Sequence, residues 1–110
     1  MAVTFKVLGQ ANPSSGVLTD LYTVPGATSS TDVRVIICNQ SSRDATFRIS
    51  IAVAGAADAT KQYIYYDTPV PANDTFIAVL GITLATTDVV RCYSKDSTQL
   101  SFGVFGAEVS

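Results

Sequence analysis

The stretch from Ala45 to Val53, ATFRISIAV, constrains the fold of this chain more than any other segment. Its apolar residues alternate with polar or small ones throughout, which is the period of a β-strand with one buried face. Such a strand needs a second apolar layer to cover that face. The chain must therefore supply further elements that share one core with it.

The other apolar runs also predict strands, because they are short, rich in β-branched or aromatic residues and separated by turn residues. The predicted strands are Val3–Leu8, Val17–Val24, Val33–Asn39, Gln62–Tyr66, Thr75–Leu80, Val89–Tyr93 and Leu100–Phe105. The polar turn NQSSRD predicts a hairpin over Val33–Val53, and SKDSTQ predicts a last hairpin between the final two strands. All four prolines fall in the predicted loops, where a missing N–H costs no ladder bond.

These patterns predict one all-β domain over residues 1–110, a β-sandwich of jelly-roll-like type with less than about 10% helix. Only Ala54–Gln62 is predicted to have any helical character, amounting to a turn or two. The predicted core consists of Val35, Ile37, Phe47, Ile49, Ile51, Phe76, Val90, Leu100 and Phe102.

The composition predicts a surface that meets other molecules. The chain is 47% hydrophobic and 15% charged, against about 25% charged in an average soluble domain. Either a Thr- and Ser-rich surface makes up for the missing charge, or part of the surface is apolar and is covered by a partner. We favour the second interpretation.

The charge pattern narrows the class of partner. The net charge is −2 and the seven Lys and Arg residues are scattered, whereas a nucleic-acid binder needs a basic cluster. No apolar run is long enough for a transmembrane helix, so no membrane partner is expected. The N-terminus lacks the basic start and apolar core of a signal peptide, and we expect a chain that is made and used without export.

The residue types argue against catalysis. There is no histidine, which removes the commonest general base and the commonest zinc ligand. No phosphate-binding glycine motif and no calcium-loop pattern occurs. We therefore predict no catalytic residue, no cofactor and no metal, and interpret most aspartates as turn formers. These are Asp32, Asp44, Asp58, Asp74, Asp88 and Asp96.

Two cysteines, Cys38 and Cys92, lie in apolar runs. Free cysteine packs as a small hydrophobe, and a chain that is not exported is expected to keep its thiols reduced. The alternative is a disulfide across the sandwich, which would require Cα atoms within about 7 Å.

One cluster, YIYYD, is a candidate contact surface. Tyrosine is enriched at interfaces because it combines a large rigid ring with a polar tip. On a regular strand, Tyr63 and Tyr65 would share one face, and Ile64 and Tyr66 the other. One interpretation packs Ile64 and Tyr66 in the core. The other makes Tyr63, Tyr65 and Tyr66 an interface for a neighbouring subunit or a glycan.

Four segments together carry a resemblance to a known group of proteins. They are LGQANPSSGVLTDLYTVPGATSSTDVRVIICNQ, ATFRISIAVAGAA, YIYYDTPVPANDTF and LATTDVVRCYS. With them the chain resembles small all-β structural proteins of tailed bacteriophages, of the capsid cement (decoration) type found in cyanophages. The shared pattern consists of strand and turn signatures and carries no functional residues.

The resemblance implies a role in the virion. It implies a homotrimer on the capsid surface, assembled in the host cytoplasm, that clamps neighbouring major capsid proteins. A cement protein needs a rigid scaffold and contact faces but no acid–base group, in agreement with the residue types. The alternatives are a tail or baseplate component and a receptor- or glycan-binding module, for which the tyrosine cluster is the only support.

Overall fold

The computed structural model describes residues 2–95 and 97–110, which form eight strands and two short 3-10 turns. The strands are β1 (Val3–Ala11), β2 (Thr19–Thr23), β3 (Ser29–Asn39), β4 (Ala45–Ala52), β5 (Tyr63–Val70), β6 (Thr75–Leu84), β7 (Val89–Ser94) and β8 (Leu100–Val109). The 3-10 turns, Val53–Gly55 and Thr60–Gln62, fall where limited helical character was predicted. Strands make up 62% of the structure and helix 6%, which confirms the all-β class.

The strands form two four-stranded sheets in which every pairing is antiparallel. Sheet A has the order β1-β8-β3-β6, and sheet B has the order β2-β7-β4-β5. Consecutive strands lie in opposite sheets except for β4 and β5. This is the connectivity of a jelly roll, two Greek keys wrapped into a sandwich, and it confirms the predicted architecture.

Both predicted hairpins are wrong. β3 lies in sheet A and β4 in sheet B, and the final pair, β7 and β8, is divided in the same way. The polar turns reverse the chain as predicted, but each leads across the roughly 10 Å between the sheets. Pairing explains this crossing, because β3 already has β6 and β8 as neighbours and offers β4 no free edge.

The core lies between the two inner sheet faces and is centred on Phe47. The ring of Phe47 lies 5.3 Å from the Phe76 ring, 5.7 Å from that of Tyr65 and 6.2 Å from that of Phe102. Seven of the nine predicted core residues are buried. The other two, Ile51 and Phe76, are partly buried and pack against the same cluster.

Asn39 connects the end of β3 to the opposite layer. Its side chain is 1% exposed, and its amide donates hydrogen bonds to the carbonyls of Arg43 at 2.8 Å and Val70 at 3.1 Å. Its Oδ1 accepts from the backbone N–H of Ser41 at 2.9 Å. A buried amide with these partners stabilises the crossing from sheet A to sheet B.

A mutation of the core tests this packing. Ile49 is 0% exposed, so Ile49→Ala should lower the free energy of unfolding by roughly 2–5 kcal/mol through lost burial and a cavity. Val53→Ala, at a side chain that is 70% exposed, is the control and should change stability by less than about 0.5 kcal/mol. Urea unfolding measures both. A loss below about 0.5 kcal/mol for Ile49→Ala would place that residue outside the core.

Candidate functional site

The outer face of sheet A is apolar across all four of its strands. We define the apolar face by six side chains: Phe5 and Val7 on β1, Phe105 on β8, Ile36 on β3, and Ile77 and Val79 on β6. Val7 lies opposite Phe105, and Ile36 lies opposite Ile77. Directly opposed residues project to the same side of a sheet, so the six side chains share the outer face. Arg34 lies on this face between Phe105 and Val79.

Four side chains of the apolar face are more than half exposed. The exposed fractions are 74% for Phe5, 51% for Val7, 61% for Ile77 and 67% for Val79. The reason is that β6 and its neighbours carry apolar residues at successive positions, so that both faces of these strands are apolar. In β6 the buried Ala78 alternates with exposed Ile77 and Val79. Exposed apolar side chains gathered on one face of a sheet are typical of a contact surface.

Two depressions indent this face. The larger, of about 520 Å³, is lined by Gln10, Ile36, Cys38, Ser101, Gly103 and Phe105, among others. Gly103 lets the Phe105 ring lie close against β8, because a Cβ there would lie 2.9 Å from that ring. The hollow has the size to accept an apolar side chain of a partner.

The smaller depression, of about 210 Å³, brings two opposite charges to the apolar face. It is lined by Phe5, Lys6, Asp32, Arg34, Phe105 and Gly106. Lys6 forms an ion pair with Glu108 at 2.7 Å. Within residues 2–95 and 97–110, neither Asp32 nor Arg34 forms an ion pair. The face thus presents one free carboxylate and one free guanidinium to whatever covers it.

The outer face of sheet B is different in kind, because its charges are already paired. Arg48 makes two hydrogen bonds to the Asp67 carboxylate, at 2.7 and 3.3 Å. Its guanidinium carbon also lies 4.0 Å from the ring centre of Tyr66 and 4.5 Å from that of Tyr93. The Arg48 guanidinium lowers the pKa of the Asp67 carboxyl by donating these hydrogen bonds. We call these residues, with Tyr63, the aromatic–cation cluster.

The structure separates the three tyrosines predicted as an interface. Tyr63 and Tyr66 lie together on the outer face of sheet B, with ring centres 5.2 Å apart in an edge-on arrangement. Tyr65 turns inward and packs against Phe47. Ile64 is 44% exposed and Tyr66 is 58% exposed, so the interpretation that packs those two residues in the core is wrong.

An irregularity in strand pairing explains the placement of the tyrosines. Ser50 lies opposite Tyr63 and Ile49 opposite Tyr65, so Ile64 is an extra residue in β5. Such a bulge breaks the alternation of faces and brings Tyr63 to the side of Tyr66. No local signal in YIYYD marks the bulge.

Both cysteines are free, and they lie in different environments. Cys92 is 0% exposed in the core, and burial raises the pKa of its thiol to about 12. Cys38 is half-buried and borders the larger depression on the outer side of sheet A. The disulfide considered for these two strands is absent from the structure.

Asp44 and Asp88 act in turns, as interpreted from the sequence, whereas the interpretation is wrong for Asp32, which lies within β3 at φ 55°. The Asp88 carboxylate accepts hydrogen bonds from the backbone N–H groups of Ala54 and Ala85, and Asp44 accepts from that of Ala72. Asp96 lies outside the described residues.

Across the described part of the chain, no three His, Cys, Asp or Glu side chains converge as a metal site would require. In the same residues, no helix has the length and apolar character needed to span a bilayer.

Comparison with solved structures yields a likeness in fold. No model of a known protein family matches the sequence, and no curated protein matches it. The fold is similar to part of a chain in the structure of infectious bursal disease virus Gx strain, with a TM-score of 0.55 and 12% sequence identity. The match covers 97% of this chain but 32% of that chain, and at this identity it supports the fold alone.

Differential alkylation tests the placement of the two cysteines. In the native protein near pH 8, a maleimide should label Cys38 and leave Cys92 unmodified, because the thiolate is the reactive form and Cys92 is both buried and protonated. Mass spectrometry should find one label before denaturation and two after it. Equal labelling rates for both thiols in the native protein would contradict the buried position of Cys92.

Proposed function

We propose that the chain is a structural protein of a viral particle, and specifically a capsid cement protein of a tailed bacteriophage. The single observation that supports this best is the apolar face, a large exposed hydrophobic surface on a rigid jelly roll. Such a surface is suited to permanent contacts, which are more apolar than transient ones. The proposal assigns the chain no catalytic step.

The energetics of the apolar face suit a protein that acts in many copies. Fully burying a Val, Ile or Phe side chain contributes about 1.5–3 kcal/mol, so covering Phe5, Ile77 and Val79 would give each copy a modest gain. Repetition over a shell multiplies such gains through multivalency. A small domain can therefore stabilise a large particle without one very tight site.

Two further observations support the viral role. The neighbour in fold comes from the structure of a virus, and jelly rolls are frequent in viral capsid domains. The resemblance to phage cement proteins supplies the narrower claims. These are an outer-head location, the major capsid protein as partner, and a homotrimer as the assembled form.

The aromatic–cation cluster favours a second candidate, a glycan-binding module. The Tyr66 ring is 58% exposed, and the paired Arg48 and Asp67 beside it offer fixed polar groups for sugar hydroxyls. Binding on a glycan array that is lost in Tyr66→Ala would support this candidate. An array without binders would remove it.

Particles that lack this protein test the cement role. They should assemble normally but burst at a lower temperature, because the repeated contacts are missing. Electron microscopy of complete particles should show the protein in many copies around the head. Equal thermal stability with and without it would contradict the cement role, and a few copies on the tail would favour a tail or baseplate component.

A rescue experiment tests the apolar face itself. Purified protein added to deficient particles should restore the bursting temperature, and Phe5→Asp should fail to do so because it places a charge in the contact. Val53→Asp is the matched control, since Val53 is 70% exposed, close to the 74% of Phe5, but lies outside the face. Rescue by Phe5→Asp equal to that of the unmodified protein would show that this face makes no contact.

A further inference from the structure

Each sheet of the sandwich ends in two edge strands, β1 and β6 in sheet A and β2 and β5 in sheet B. An edge strand presents unpaired N–H and C=O groups that can pair with a strand of another molecule. Natural proteins guard such edges with charged residues, proline, bulges or short strands. An edge without a guard is therefore informative about assembly.

Three of the four edges are guarded. β1 carries Lys6 near its middle and a pairing irregularity between Val7 and Gly9. β2 has five residues, one of them Asp20, with a second irregularity beside it. β5 contains Pro69, two irregularities, and Asp67 in the left-handed region with φ 49°. Each of these features hinders the addition of another strand.

The first half of β6 has no such guard. No charged residue and no proline occurs from Thr75 to Thr87, and pairing with β3 is regular from Thr75 to Val79. The irregularity in this strand comes later, at Leu80 and Gly81, where Gly81 has φ 60°. A regularly paired, uncharged segment of five residues therefore lies at this edge.

The orientation of the backbone shows which groups this segment offers. The Asn39 N–H donates to the carbonyl of Asp74 at 2.9 Å, so the backbone groups of Asp74 point toward β3. Because the direction alternates along a strand, Phe76 and Ala78 also point toward β3. Ile77 and Val79 then direct their N–H and C=O groups toward the open edge. The Thr75 carbonyl points the same way, whereas the Thr75 N–H donates to the Asp74 carboxylate at 2.8 Å.

We infer that β6 pairs in antiparallel fashion with β6 of a second copy of this chain, about a two-fold axis near Ile77. In this register Ile77 faces Ile77 of the second copy, and Val79 faces Thr75 of the second copy. Sheet A would then continue through eight strands. The two apolar faces would become one surface, because Ile77 and Val79 project from the same side in both copies.

The charge pattern favours a second copy as the occupant. A two-fold contact brings the same segment of both copies together, so a segment with a net charge would repel itself, whereas Thr75–Val79 carries no charge. The nearest cation is Arg34, which lies opposite Val79 on β3. In the proposed register its row continues through Val79 to Thr75 and Cys38 of the second copy, so the two Arg34 side chains lie in different rows.

This contact goes beyond the proposed function and does not depend on it. A two-fold pair can link two single chains, or it can link two trimers of the kind that the resemblance implies. In either case, loss of the contact halves the mass of the assembly in solution. The virion role is tested on particles and this contact on the purified chain, so the failure of one is distinguishable from the failure of the other.

Ile77→Pro tests the contact at the backbone. Proline removes an N–H that points to the open edge, and edge strands accept proline there, so the bonds between β6 and β3 are kept. We expect sedimentation velocity at about 10 µM to give half the mass of the unmodified protein, while circular dichroism shows the same fold. Ile77→Lys, which adds a guarding charge, should have the same effect and covers the case in which the proline variant does not fold.

Val7→Lys is the matched control. Val7 lies on the same apolar face and is 51% exposed, but it belongs to β1. This variant should keep the full mass if the contact is made by the β6 edge. An unmodified protein that sediments at 11.6 kDa would overturn the inference. Variants at Ile77 that keep the full mass would overturn it as well, as would an equal loss of mass in Val7→Lys.

Discussion

The mutual burial of the two inner sheet faces around Phe47 is the interaction on which the rest of the structure depends. Phe47 brings Tyr65 and Phe76 from different sheets into one aromatic cluster. With only two layers, each sheet can cover one face of the other and no more. Each sheet therefore keeps an outer face that is not part of the core, and the residues of that face can be suited to assembly.

The two outer faces differ in their ion pairs and in their exposed apolar residues. On sheet B, Arg48 and Arg91 are held by carboxylates of the same chain, so that surface is stable in water as it stands. On sheet A, Phe5 and Ile77 are exposed near Arg34, which forms no ion pair within residues 2–95 and 97–110. Exposure of such an apolar surface to water is unfavourable, and its burial by a partner would be favourable. The β6 edge borders the same face.

Local patterns predict the strands, the sandwich and most of the core, because the period of apolar residues is a property of each segment alone. They do not predict which sheet a strand joins, as β3 and β4 show. The turn between these strands gives the reversal, but the pairing of β3 with β6 and β8 decides the crossing. The prediction of which face each tyrosine occupies is wrong for a related reason, since the bulge at Ile64 arises from pairing with β4. The composition predicted an apolar surface, but only the assembled sheet shows that β1 and β6 share it.

Hydroxyl-radical footprinting of assembled particles is the most direct test that the apolar face of sheet A is the contact surface. In the isolated chain, Phe5, Ile77 and Tyr66 are all more than half exposed and should all be oxidised. In the particle, oxidation of Phe5 and Ile77 should fall at least several-fold, while Tyr66 on sheet B serves as the internal reference and stays reactive. Unchanged oxidation of Phe5 and Ile77 together with protection of Tyr66 would contradict the account and place the contact on the opposite sheet.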